Sequence, residues 1–443
     1  MSDQQQTLTF KLSPGGHLSG RLRVPGDKSI SHRAVMLASL ARGTTQISGF
    51  LEGEDCLATL EAFRAMGVSI DGPRAGRVTV HGAGLHGLQP PAGPLYLGNS
   101  GTSMRLLAGL LAGQRFDTVL TGDASLSRRP MQRVIQPLTA MGAHIEASPA
   151  GTAPLRVHGG RTLQGIAYTL PVASAQVKSC LLLAGLYARG RTCVTEPAPA
   201  RDHTERMLAG FGYPVPRHGT TVCIEGGGAL RASPAIDVPA DISSAAFFMV
   251  GGSIAEDSDI LLEHVGVNPT RTGVIDILRR MGADIEWVNA REVGGEPVAD
   301  IRVRSARLHG IRIPEELVPL AIDEFPALFI AAACAEGETV LSGAAELRVK
   351  ESDRIQVMAE GLQALGIAAR PTPDGMSIRG GALGGGRVDS RGDHRIAMAF
   401  AMAALRARGP LWIEDCTNVN TSFPGFVELA RAAGLGIEAG PHP

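Results

Sequence analysis

The chain has 443 residues, a formal net charge of −1 at pH 7 and 44% hydrophobic residues. A chain of this length exceeds one ordinary hydrophobic core, so two or three domains are expected. The near-neutral charge argues against a nucleic acid or an anionic membrane as partner. The cysteines form no Cys-x-x-Cys pair and are expected to be reduced thiols, and no apolar run resembles a membrane span or a signal peptide. We therefore expect a soluble, cytoplasmic protein whose partners are small molecules.

Two kinds of helix alternate along the chain in six repeats. Six segments have a helical apolar period that ends at a glycine, namely Gly67, Gly142, Gly212, Gly282, Gly366 and Gly434. Each is preceded by a more apolar helix whose first residues are polar, as in DKSISHRAVMLASLA and GNSGTSMRLLAGLLAG. Helices that are apolar on most faces must be buried on most sides. Strand-like stretches between and after the helices complete a βαβαββ unit.

Six such units predict an α/β fold with two similar domains. Each domain is expected to hold three βαβαββ units, with buried parallel helices enclosed by sheets. The boundary falls near IDVPAD, where a proline-bearing loop follows the strand-like TTVCIE. The first strand, LTFKLSPGG, could pair into either domain. We assign it to the second, which predicts a discontinuous domain of residues 1–22 and 237–443 around an inserted domain of residues 23–236.

The first polar cluster, PGDKSISHR, begins the first apolar helix. Lys28 and Ser29 follow a glycine as in a phosphate-binding loop, but Asp27 intervenes, and the ATP-binding pattern needs the lysine directly after the glycine. Helix N-termini carry partial positive charge and unpaired N–H groups, so Lys28, Ser29 and Arg33 are predicted to bind an anion. The alternative is an ordinary helix cap with solvated cations.

Three further clusters of the first half repeat this pattern. They lie in LGNSGTSMR, GDASLSRRPM and ASAQVKS, and their candidate residues are Asn99, Gly101, Arg105, Arg128, Arg129, Ser174 and Gln176. Two adjacent arginines repel each other unless an anion lies between them, and each can bind a carboxylate or phosphate through paired hydrogen bonds. The serine and glutamine are neutral donors suited to a phosphate or a hydroxyl group, although a helix cap remains an alternative.

The second half adds carboxylates to the cations. The candidate residues lie in AIDEFP, ELRVKESDR and RGDHRIAM, and they are Asp323, Lys350, Glu351, Asp353, Arg354, His394 and Arg395. A lysine beside a glutamate in a cation-rich cleft provides an acid and a base with displaced pKa values. Helix caps, surface ion pairs and a structural histidine are the alternatives.

The spacing of the histidines and serines indicates neither a metal site nor a catalytic nucleophile. His32, His203 and His394 have no second histidine at ligand spacing, and the chain contains no Gly-x-Ser-x-Gly elbow. From the residues alone, the prediction is a cleft for one or two phosphorylated or carboxylated small molecules. Its acid and base groups come mainly from the second half.

Ten ordered motifs resemble those of the 5-enolpyruvylshikimate-3-phosphate synthase family. They span almost the whole chain, and they are PGDKSISHR, LGNSGTSMR, GDASLSRRPM, PVASAQVKS, ARDHTERML, NPTRTG, IDEFP, LRVKESDR, GDHRIAM and TSFPGF. The resemblance implies transfer of the enolpyruvyl group of phosphoenolpyruvate to the 5-hydroxyl of shikimate 3-phosphate, with release of phosphate. It implies a place in the shikimate pathway of aromatic amino acid biosynthesis, no metal or organic cofactor, and a monomer.

The resemblance also implies roles for individual residues. Shikimate 3-phosphate would be bound by Lys28, Ser29, Arg33, Ser174, Gln176, Asp323 and Lys350. Phosphoenolpyruvate would be bound by Lys28, Gly101, Arg129, Gln176, Arg354 and Arg395, with Asn99, Arg128, Arg201 and His394 adjacent. Asp323 would accept the 5-hydroxyl proton, and Glu351 or Lys28 would exchange a proton at the methylene carbon. Lys28 would lie between both anions at a hinge that closes on binding.

Two positions depart from the family pattern. Thr421 stands in NTSFP where many relatives carry a lysine, so that phosphoenolpyruvate contact is missing or replaced. The motifs ASAQVKS and TSFP resemble the family's second class, often tolerant of the inhibitor glyphosate, whereas Gly101 stands where tolerant members commonly carry alanine. Two alternative functions remain. One is the sister reaction on UDP-N-acetylglucosamine, whose enzymes usually carry a cysteine in the loop matching GDASLSRRP, and the other is a non-catalytic anion-binding relative.

Overall fold

The computed structural model of the chain describes residues 7–441. The chain divides into two compact units. The discontinuous unit contains the described residues of Met1–Pro25, Pro239–Glu292 and Pro297–Pro443, and the inserted unit contains Gly26–Val238 and Val293–Glu296. No helix within the described residues is long and apolar enough to cross a membrane. The domain boundaries inferred from the sequence remain predictions.

Twelve α-helices in the described residues form six pairs. Along the chain they are α1 Lys28–Leu40, α2 Glu54–Ala65, α3 Gly101–Ala112, α4 Gln132–Ala140, α5 Ala175–Gly185, α6 His203–Gly210, α7 Ile242–Ile254, α8 Gly273–Arg280, α9 Phe325–Cys334, α10 Arg354–Ala364, α11 His394–Ala403 and α12 Phe426–Ala433. The first helix of each pair is the apolar one. In α7, for example, every residue is buried.

Short strands surround these helices. They are β1 Leu8–Leu12, β2 Ser19–Leu22, β3 Arg42–Ser48, β4 Ser69–Arg74, β5 Arg77–Ala83, β6 Leu95–Tyr96, β7 Thr118–Thr121, β8 His144–Glu146, β9 Leu155–His158, β10 Ala167–Thr169, β11 Arg191–Thr195, β12 Arg217–His218, β13 Thr221–Glu225, β14 Ala235–Asp237, β15 Asp259–Gly266, β16 Asp284–Val293, β17 Glu296–Arg304, β18 Glu338–Leu341, β19 Ala368–Thr372, β20 Gly375–Arg379, β21 Gly386–Asp389, β22 Leu411–Glu414 and β23 Ile437–Pro441.

Each unit contains three small sheets. The inserted unit has the orders β14-β3-β5-β4, β6-β7-β9-β8 and β10-β11-β13-β12, and the discontinuous unit has β16-β17-β15-β2, β18-β20-β19 and β21-β22-β1-β23. In the inserted unit, each sheet pairs its first two strands in parallel and the rest antiparallel. The predicted fold class, two units of three repeats with the apolar helices enclosed by sheets, is confirmed.

β2 and β14 lie just before points where the chain passes from one unit to the other. β1 pairs with β22 and β23, so the first strand belongs to the discontinuous unit. β2 precedes α1 in the chain and pairs with β15 of the discontinuous unit, whereas β14 precedes α7 and pairs with β3 of the inserted unit. Each unit therefore completes one of its sheets with the strand that leads into the other unit's first helix.

The expectation that all cysteines are reduced is wrong for one pair. Cys193 on β11 and Cys223 on β13 form a disulfide and lie directly opposite each other in the antiparallel pair, with Cα atoms 4.1 Å apart. They are 30 residues apart in sequence, so no local spacing indicates the pairing. Among the described residues, the free cysteines are Cys56, Cys180, Cys334 and Cys416.

The inner helices α3 and α5 approach each other closely at Gly109. A Cβ atom at Gly109 would overlap the carbonyl oxygen of Cys180 and lie 2.9 Å from its Sγ. Gly210 provides the opposite case, because it also lies in a helix but has nothing within 4 Å of an added Cβ. The two glycines therefore separate the effect of packing from the effect of helix propensity.

We expect Gly109→Ala to destabilise the protein and Gly210→Ala to stabilise it slightly. Overpacking a buried contact costs roughly 1–3 kcal/mol, whereas Gly→Ala at an unhindered helical position gains roughly 0.4–1 kcal/mol. Urea unfolding of both variants and the wild type measures the two changes. A Gly109→Ala variant as stable as the wild type would contradict the close approach of α3 and α5.

Candidate active site

In the inserted unit, the first cluster is built around Lys28 at the start of α1. Asp27 caps this helix by accepting a hydrogen bond from the backbone N–H of Ile30 at 2.8 Å. The Lys28 ammonium forms an ion pair with the Asp55 carboxylate in the first turn of α2. Asp55 is buried, so it holds the lysine at the helix start. Asp55 was not predicted from the sequence, where the only signal for it is the acidic pair at the start of α2.

Arg33 links α1 to α5 and α6. Its Nε donates to Thr204 Oγ1 at 2.7 Å, its Nη2 to Ser179 Oγ at 2.9 Å and its Nη1 to the Ser29 carbonyl at 3.0 Å. The side chain is buried, and its position fixes the carbonyl end of Ser29. Contact of Arg33 with shikimate 3-phosphate stays a prediction. The structure shows in addition that Arg33 positions the backbone of Ser29.

His32 lies beside Lys28 on the buried side of α1. Its Nδ1 is 2.8 Å from Thr59 Oγ1, and its Nε2 is 3.5 Å from Ser100 Oγ at the cap of α3. Burial lowers the pKa of His32 well below its usual value, and the charges of Lys28 and Arg33 lower it further. The imidazole is therefore neutral near pH 7, and it joins the starts of α1 and α3 without adding a charge.

The two arginines of GDASLSRRPM lie in different environments. Arg129 is buried and donates to the side-chain oxygen of Asn99 and to Ser125 Oγ, the latter at 3.4 Å. Arg128 is exposed. Asp123 orients this region, because its carboxylate accepts from Asn99 Nδ2 at 2.7 Å. Only Arg129 of the pair is thus held in a fixed position.

Gln176, Arg105 and Gly101 form the remaining part of this cluster. Arg105 Nη1 donates to Gln176 Oε1 at 2.6 Å, and Gln176 Nε2 donates to Thr102 Oγ1 at 3.0 Å. A Cβ atom at Gly101 would lie 2.9 Å from Arg105 Nη1 and 3.1 Å from Arg129 Nη1. Gly101 therefore leaves room for two guanidinium groups at the start of α3.

Two further predicted residues of the inserted unit lie at helix starts. Ser174 caps α5, with Oγ accepting from the Val177 N–H at 3.4 Å. Arg201 is partly exposed and precedes α6 by two residues. The contacts of His32 with Ser100 and of Arg105 with Gln176 bring together the starts of α1, α3 and α5.

In the discontinuous unit, the second cluster is organised by Arg354. This buried arginine lies 2.8 Å from Asp393 Oδ2 through Nε, 2.6 Å from Glu351 Oε2 through Nη2 and 3.4 Å from Asp323 Oδ1 through Nη1. Burial alone would lower the pKa of Arg354, but the carboxylates of Asp393, Glu351 and Asp323 outweigh burial and raise it. Burial alone would raise the pKa of Asp393, and the Arg354 charge outweighs that effect and lowers it.

Asp323 lies among three cationic side chains. Lys350 Nζ is 3.2 Å and Arg354 Nη1 is 3.4 Å from Asp323 Oδ1. Arg395 Nη1 donates to the Asp323 carbonyl at 3.2 Å. The Asp323 side chain keeps 14% of its surface exposed, so it is partly accessible to solvent. The predicted residues Asp323, Lys350, Glu351, Arg354 and Arg395 thus form one group.

His394 and Asp393 lie at the start of α11. His394 is buried. Asp393 caps the helix by accepting from the Arg395 N–H at 3.0 Å, and its other oxygen, Oδ2, also accepts from Ser352 Oγ at 3.0 Å. Asp393, which was not predicted as a site residue from the motif GDHRIAM, is the buried partner of Arg354.

A buried polar chain that the sequence analysis also missed lies next to Asp323. Arg271, from the motif NPTRTG, donates to Ser243 Oγ at 2.7 Å and to Asp241 Oδ1 at 3.2 Å. Ser243 in turn donates to Glu324, the neighbour of Asp323 in the chain. The four side chains are all buried, and they tie the start of α7 to the start of α9. The sequence indicates this polar chain only through the acidic pair in AIDEFP, of which Asp323 alone was predicted as a site residue.

Thr421, which stands where many relatives are expected to carry a lysine, is held within its own turn. Its side chain is buried, and Oγ1 donates to the Asn418 carbonyl at 2.7 Å within its own turn. The hydroxyl group therefore stabilises a local turn.

The two clusters carry complementary chemistry. The inserted unit supplies mainly cations and amide groups that suit phosphate and carboxylate oxygens. The discontinuous unit supplies two carboxylates, Asp323 and Glu351, each in contact with a cation. Carboxylates held in this way can accept or donate a proton at a defined position.

Comparison with known proteins gives consistent matches. The family model described as EPSP synthase (3-phosphoshikimate 1-carboxyvinyltransferase) matches residues 12–429. A 3-phosphoshikimate 1-carboxyvinyltransferase of Alkalilimnicola ehrlichii is 76% identical over 434 residues, which are 98% of this chain and 97% of the relative. The protein of the same name from Methylococcus capsulatus is 73% identical over 97% of this chain and 98% of the relative.

Solved structures agree with the sequence matches. The structure of EPSP synthase from Acinetobacter baumannii has a TM-score of 0.88 and 59% identity, and the match covers 98% of this chain and 100% of that chain. The enolpyruvyl transferase NikO from Streptomyces tendae has a TM-score of 0.79 at 18% identity, over 99% of this chain and 100% of that chain. The second match shows a shared fold only.

We expect the lowered pKa of His32 to make stability depend on pH. An unfolded histidine has a pKa of about 6.5 and the folded His32 has a pKa well below it, so the unfolded state binds more protons as the pH falls below the unfolded pKa. The stabilising contribution is therefore present above the unfolded pKa and is lost as the pH falls towards the folded pKa. Urea unfolding between about pH 7.5 and about pH 5.5 measures this loss.

His32→Gln should reduce the loss of unfolding free energy over this range. The matched control is His218→Gln, because His218 is exposed on β12 and should leave the pH dependence unchanged. Equal pH dependence in the wild type and in His32→Gln would show that His32 is not the neutral, buried group described.

Proposed function

The chain belongs to the EPSP synthase family, and we infer from this that it is the transferase that moves the enolpyruvyl group of phosphoenolpyruvate to the 5-hydroxyl of shikimate 3-phosphate. Phosphate is released, and the reaction serves the shikimate pathway of aromatic amino acid biosynthesis. The near full-length identity to relatives of that name carries this conclusion. The sister reaction on UDP-N-acetylglucosamine is not favoured.

We propose that two overlapping sets of residues bind the two substrates. The proposed ligands of shikimate 3-phosphate are Lys28, Ser29, Arg33, Ser174, Gln176, Asp323 and Lys350. The proposed ligands of phosphoenolpyruvate are Lys28, Gly101, Arg129, Gln176, Arg354 and Arg395, with Asn99, Arg128, Arg201 and His394 nearby. The fixed positions of Arg129 and Gln176 support this proposal, because an oriented donor loses little freedom when it binds an anion.

Asp323 is proposed to accept the proton of the 5-hydroxyl group. The hydroxyl oxygen then bonds to the central carbon of phosphoenolpyruvate, while the methylene carbon receives a proton from Glu351 or from Lys28. The product of this step is a tetrahedral ketal phosphate. The residue that gave this proton then removes one from the new methyl group, and the carbon–oxygen bond to phosphate breaks, which restores the enol ether and releases phosphate. The phosphate leaves with the proton that Asp323 accepted. Lys350 and Arg354 orient Asp323 for the first step, at 3.2 and 3.4 Å.

Cations near the reacting groups stabilise the charge that develops during transfer. The proposed phosphoenolpyruvate ligands Arg129, Arg354 and Arg395 are all held by hydrogen bonds within the protein. Donors that are already oriented need not reorganise when charge builds up on the phosphate and carboxylate oxygens. We further propose a cytoplasmic monomer, which cell fractionation and light scattering would test.

Asp323→Asn is expected to lower kcat by roughly a hundredfold or more, the usual cost of losing a general base. The amide cannot accept the hydroxyl proton as the carboxylate does, whereas the contact of Arg395 with the backbone carbonyl should remain. The measurement is phosphate release from phosphoenolpyruvate with both substrates saturating. UDP-N-acetylglucosamine in place of shikimate 3-phosphate should give no release in any variant.

The matched control is Glu316→Gln, which removes an exposed carboxylate on a nearby short 3-10 helix. Its kcat should equal that of the wild type. Near-normal turnover of Asp323→Asn would show that the base is assigned wrongly, while the transferase activity itself would stand. Absence of shikimate 3-phosphate-dependent release in the wild type would instead contradict the reaction.

Gly101→Ala is expected to raise the ratio of the glyphosate inhibition constant to the phosphoenolpyruvate Michaelis constant. The wild type should be inhibited by glyphosate. The new methyl group would press on the guanidinium groups of Arg105 and Arg129, at 2.9 and 3.1 Å. Overpacking costs roughly 1–3 kcal/mol, and the longer inhibitor should bear more of this cost than the substrate. Gly210→Ala is the control, and an unchanged ratio in Gly101→Ala would show that Gly101 does not shape the site.

A further inference from the structure

Two histidines and a glutamate share the outer face of the sheet formed by β6, β7, β9 and β8. His144 on β8 lies directly opposite His158 on β9 in the antiparallel register. Glu146 is two residues beyond His144 on the same strand, so its side chain emerges on the same face. His144 and Glu146 are exposed and His158 is partly exposed, so the group is open to solvent.

The three side chains have the geometry of a metal-binding group. The two imidazole rings stack with centroids 4.4 Å apart and an angle of 17° between their planes. His158 Nε2 lies 2.9 Å from Glu146 Oε1. One possible ligand atom from each residue lies within 4.8 Å of the others. Ligands at about 2.0–2.2 Å from a tetrahedral zinc ion are about 3.3 Å apart, so the exposed side chains must rotate and the ring stack must open for the three atoms to meet at one ion.

Asp117 provides a second, independent feature of such a site. Its Oδ2 lies 3.1 Å from His158 Nδ1, on the opposite side of the ring from Glu146. Its Oδ1 accepts from the Gly159 N–H at 3.1 Å, which fixes the carboxylate. A histidine that donates Nδ1–H to a carboxylate presents the lone pair of Nε2, the arrangement common among metal-ligating histidines.

The preceding sheet has the same framework without the second histidine. His81 on β5 lies opposite Ser69 on β4, and Asp71, two residues beyond Ser69, contacts His81 Nε2 at 3.2 Å. A histidine beside a carboxylate on this face is therefore an ordinary feature of the repeat. The sheet with β8 and β9 differs from it by adding a second imidazole and the Asp117 contact.

We propose that His144, Glu146 and His158 bind one Zn²⁺ ion, with Asp117 orienting His158 and water completing the coordination. Imidazole and carboxylate are ligands that divalent transition metals prefer. Asp117 precedes β7, whereas the loop with Asp123 and Arg129 follows β7, so the site lies at the other end of that strand. The ion takes no part in enolpyruvyl transfer. It joins the edge strand β8 to β9 and stabilises the inserted unit.

The test titrates the full-length protein with zinc chloride alone, by calorimetry, and measures thermal unfolding with and without the metal. The wild type should bind one ion more than His144→Ala, and zinc should raise its Tm more than that of the variant. The matched control, His81→Ala, should bind as the wild type does. Asp117→Asn should weaken the same site by roughly tenfold without abolishing it.

Equal zinc stoichiometry and affinity in the wild type and in His144→Ala would overturn the proposal. So would an equal loss in His81→Ala, because binding would then be a general property of surface histidines. His144 is exposed, so unfolding of the variant without zinc should match that of the wild type. Turnover should be the same with and without zinc, which separates this site from the active site.

Discussion

Burial of the apolar inner helices is the constraint on which the rest of the structure depends. A helix enclosed on all sides, such as α7, carries no charged side chain along its length, and the charged residues of the other inner helices, such as Lys178 on α5, lie near the helix start. Contacts in the inserted unit show that these starts meet, because His32 on α1 reaches Ser100 at the cap of α3, and Arg105 on α3 reaches Gln176 on α5. Helix N-termini favour anions, so this arrangement creates a place for phosphate and carboxylate groups.

Buried charges in these clusters are matched by opposite charges within the same unit. Lys28 pairs with Asp55, and Arg354 pairs with Asp393. Lys178, also fully buried, lies 2.8 Å from Glu196 and 2.7 Å from Glu205. Removing one partner of such a pair leaves an uncompensated charge and typically costs about 3–5 kcal/mol. The pairing therefore holds the buried charges in place, while the side chains of Asp323, Lys350 and Glu351 are partly exposed.

The sequence predicted the fold because its signals are local and repeated. A helical apolar period ending at a glycine recurs six times, and the polar residues before each apolar helix can be found by inspection. In the discontinuous unit, the structure also places Asp323, Lys350, Glu351, Arg354 and Arg395 close together. The roles of these residues in binding and proton transfer remain predictions.

The features that the sequence analysis missed are pairings across long sequence distances. The disulfide of Cys193 with Cys223, like the facing pair His144 and His158, depends on strand register, which local spacing does not contain. The partner of Lys28 lies on the next helix, and Arg271 contacts Ser243 from a loop 28 residues further along the chain. In each case the local sequence does not identify the partner, and only the fold places the two side chains in contact.

The central claim is that the start of α1 binds the phosphorylated acceptor, and equilibrium binding of shikimate 3-phosphate to Lys28→Ala tests it most directly. Lys11→Ala is the matched control, because Lys11 is an exposed lysine on β1. The account predicts that Lys28→Ala weakens binding by roughly tenfold or more, the cost of losing a charge-assisted contact, and that Lys11→Ala binds as the wild type does. Equal dissociation constants for Lys28→Ala and the wild type would contradict the account.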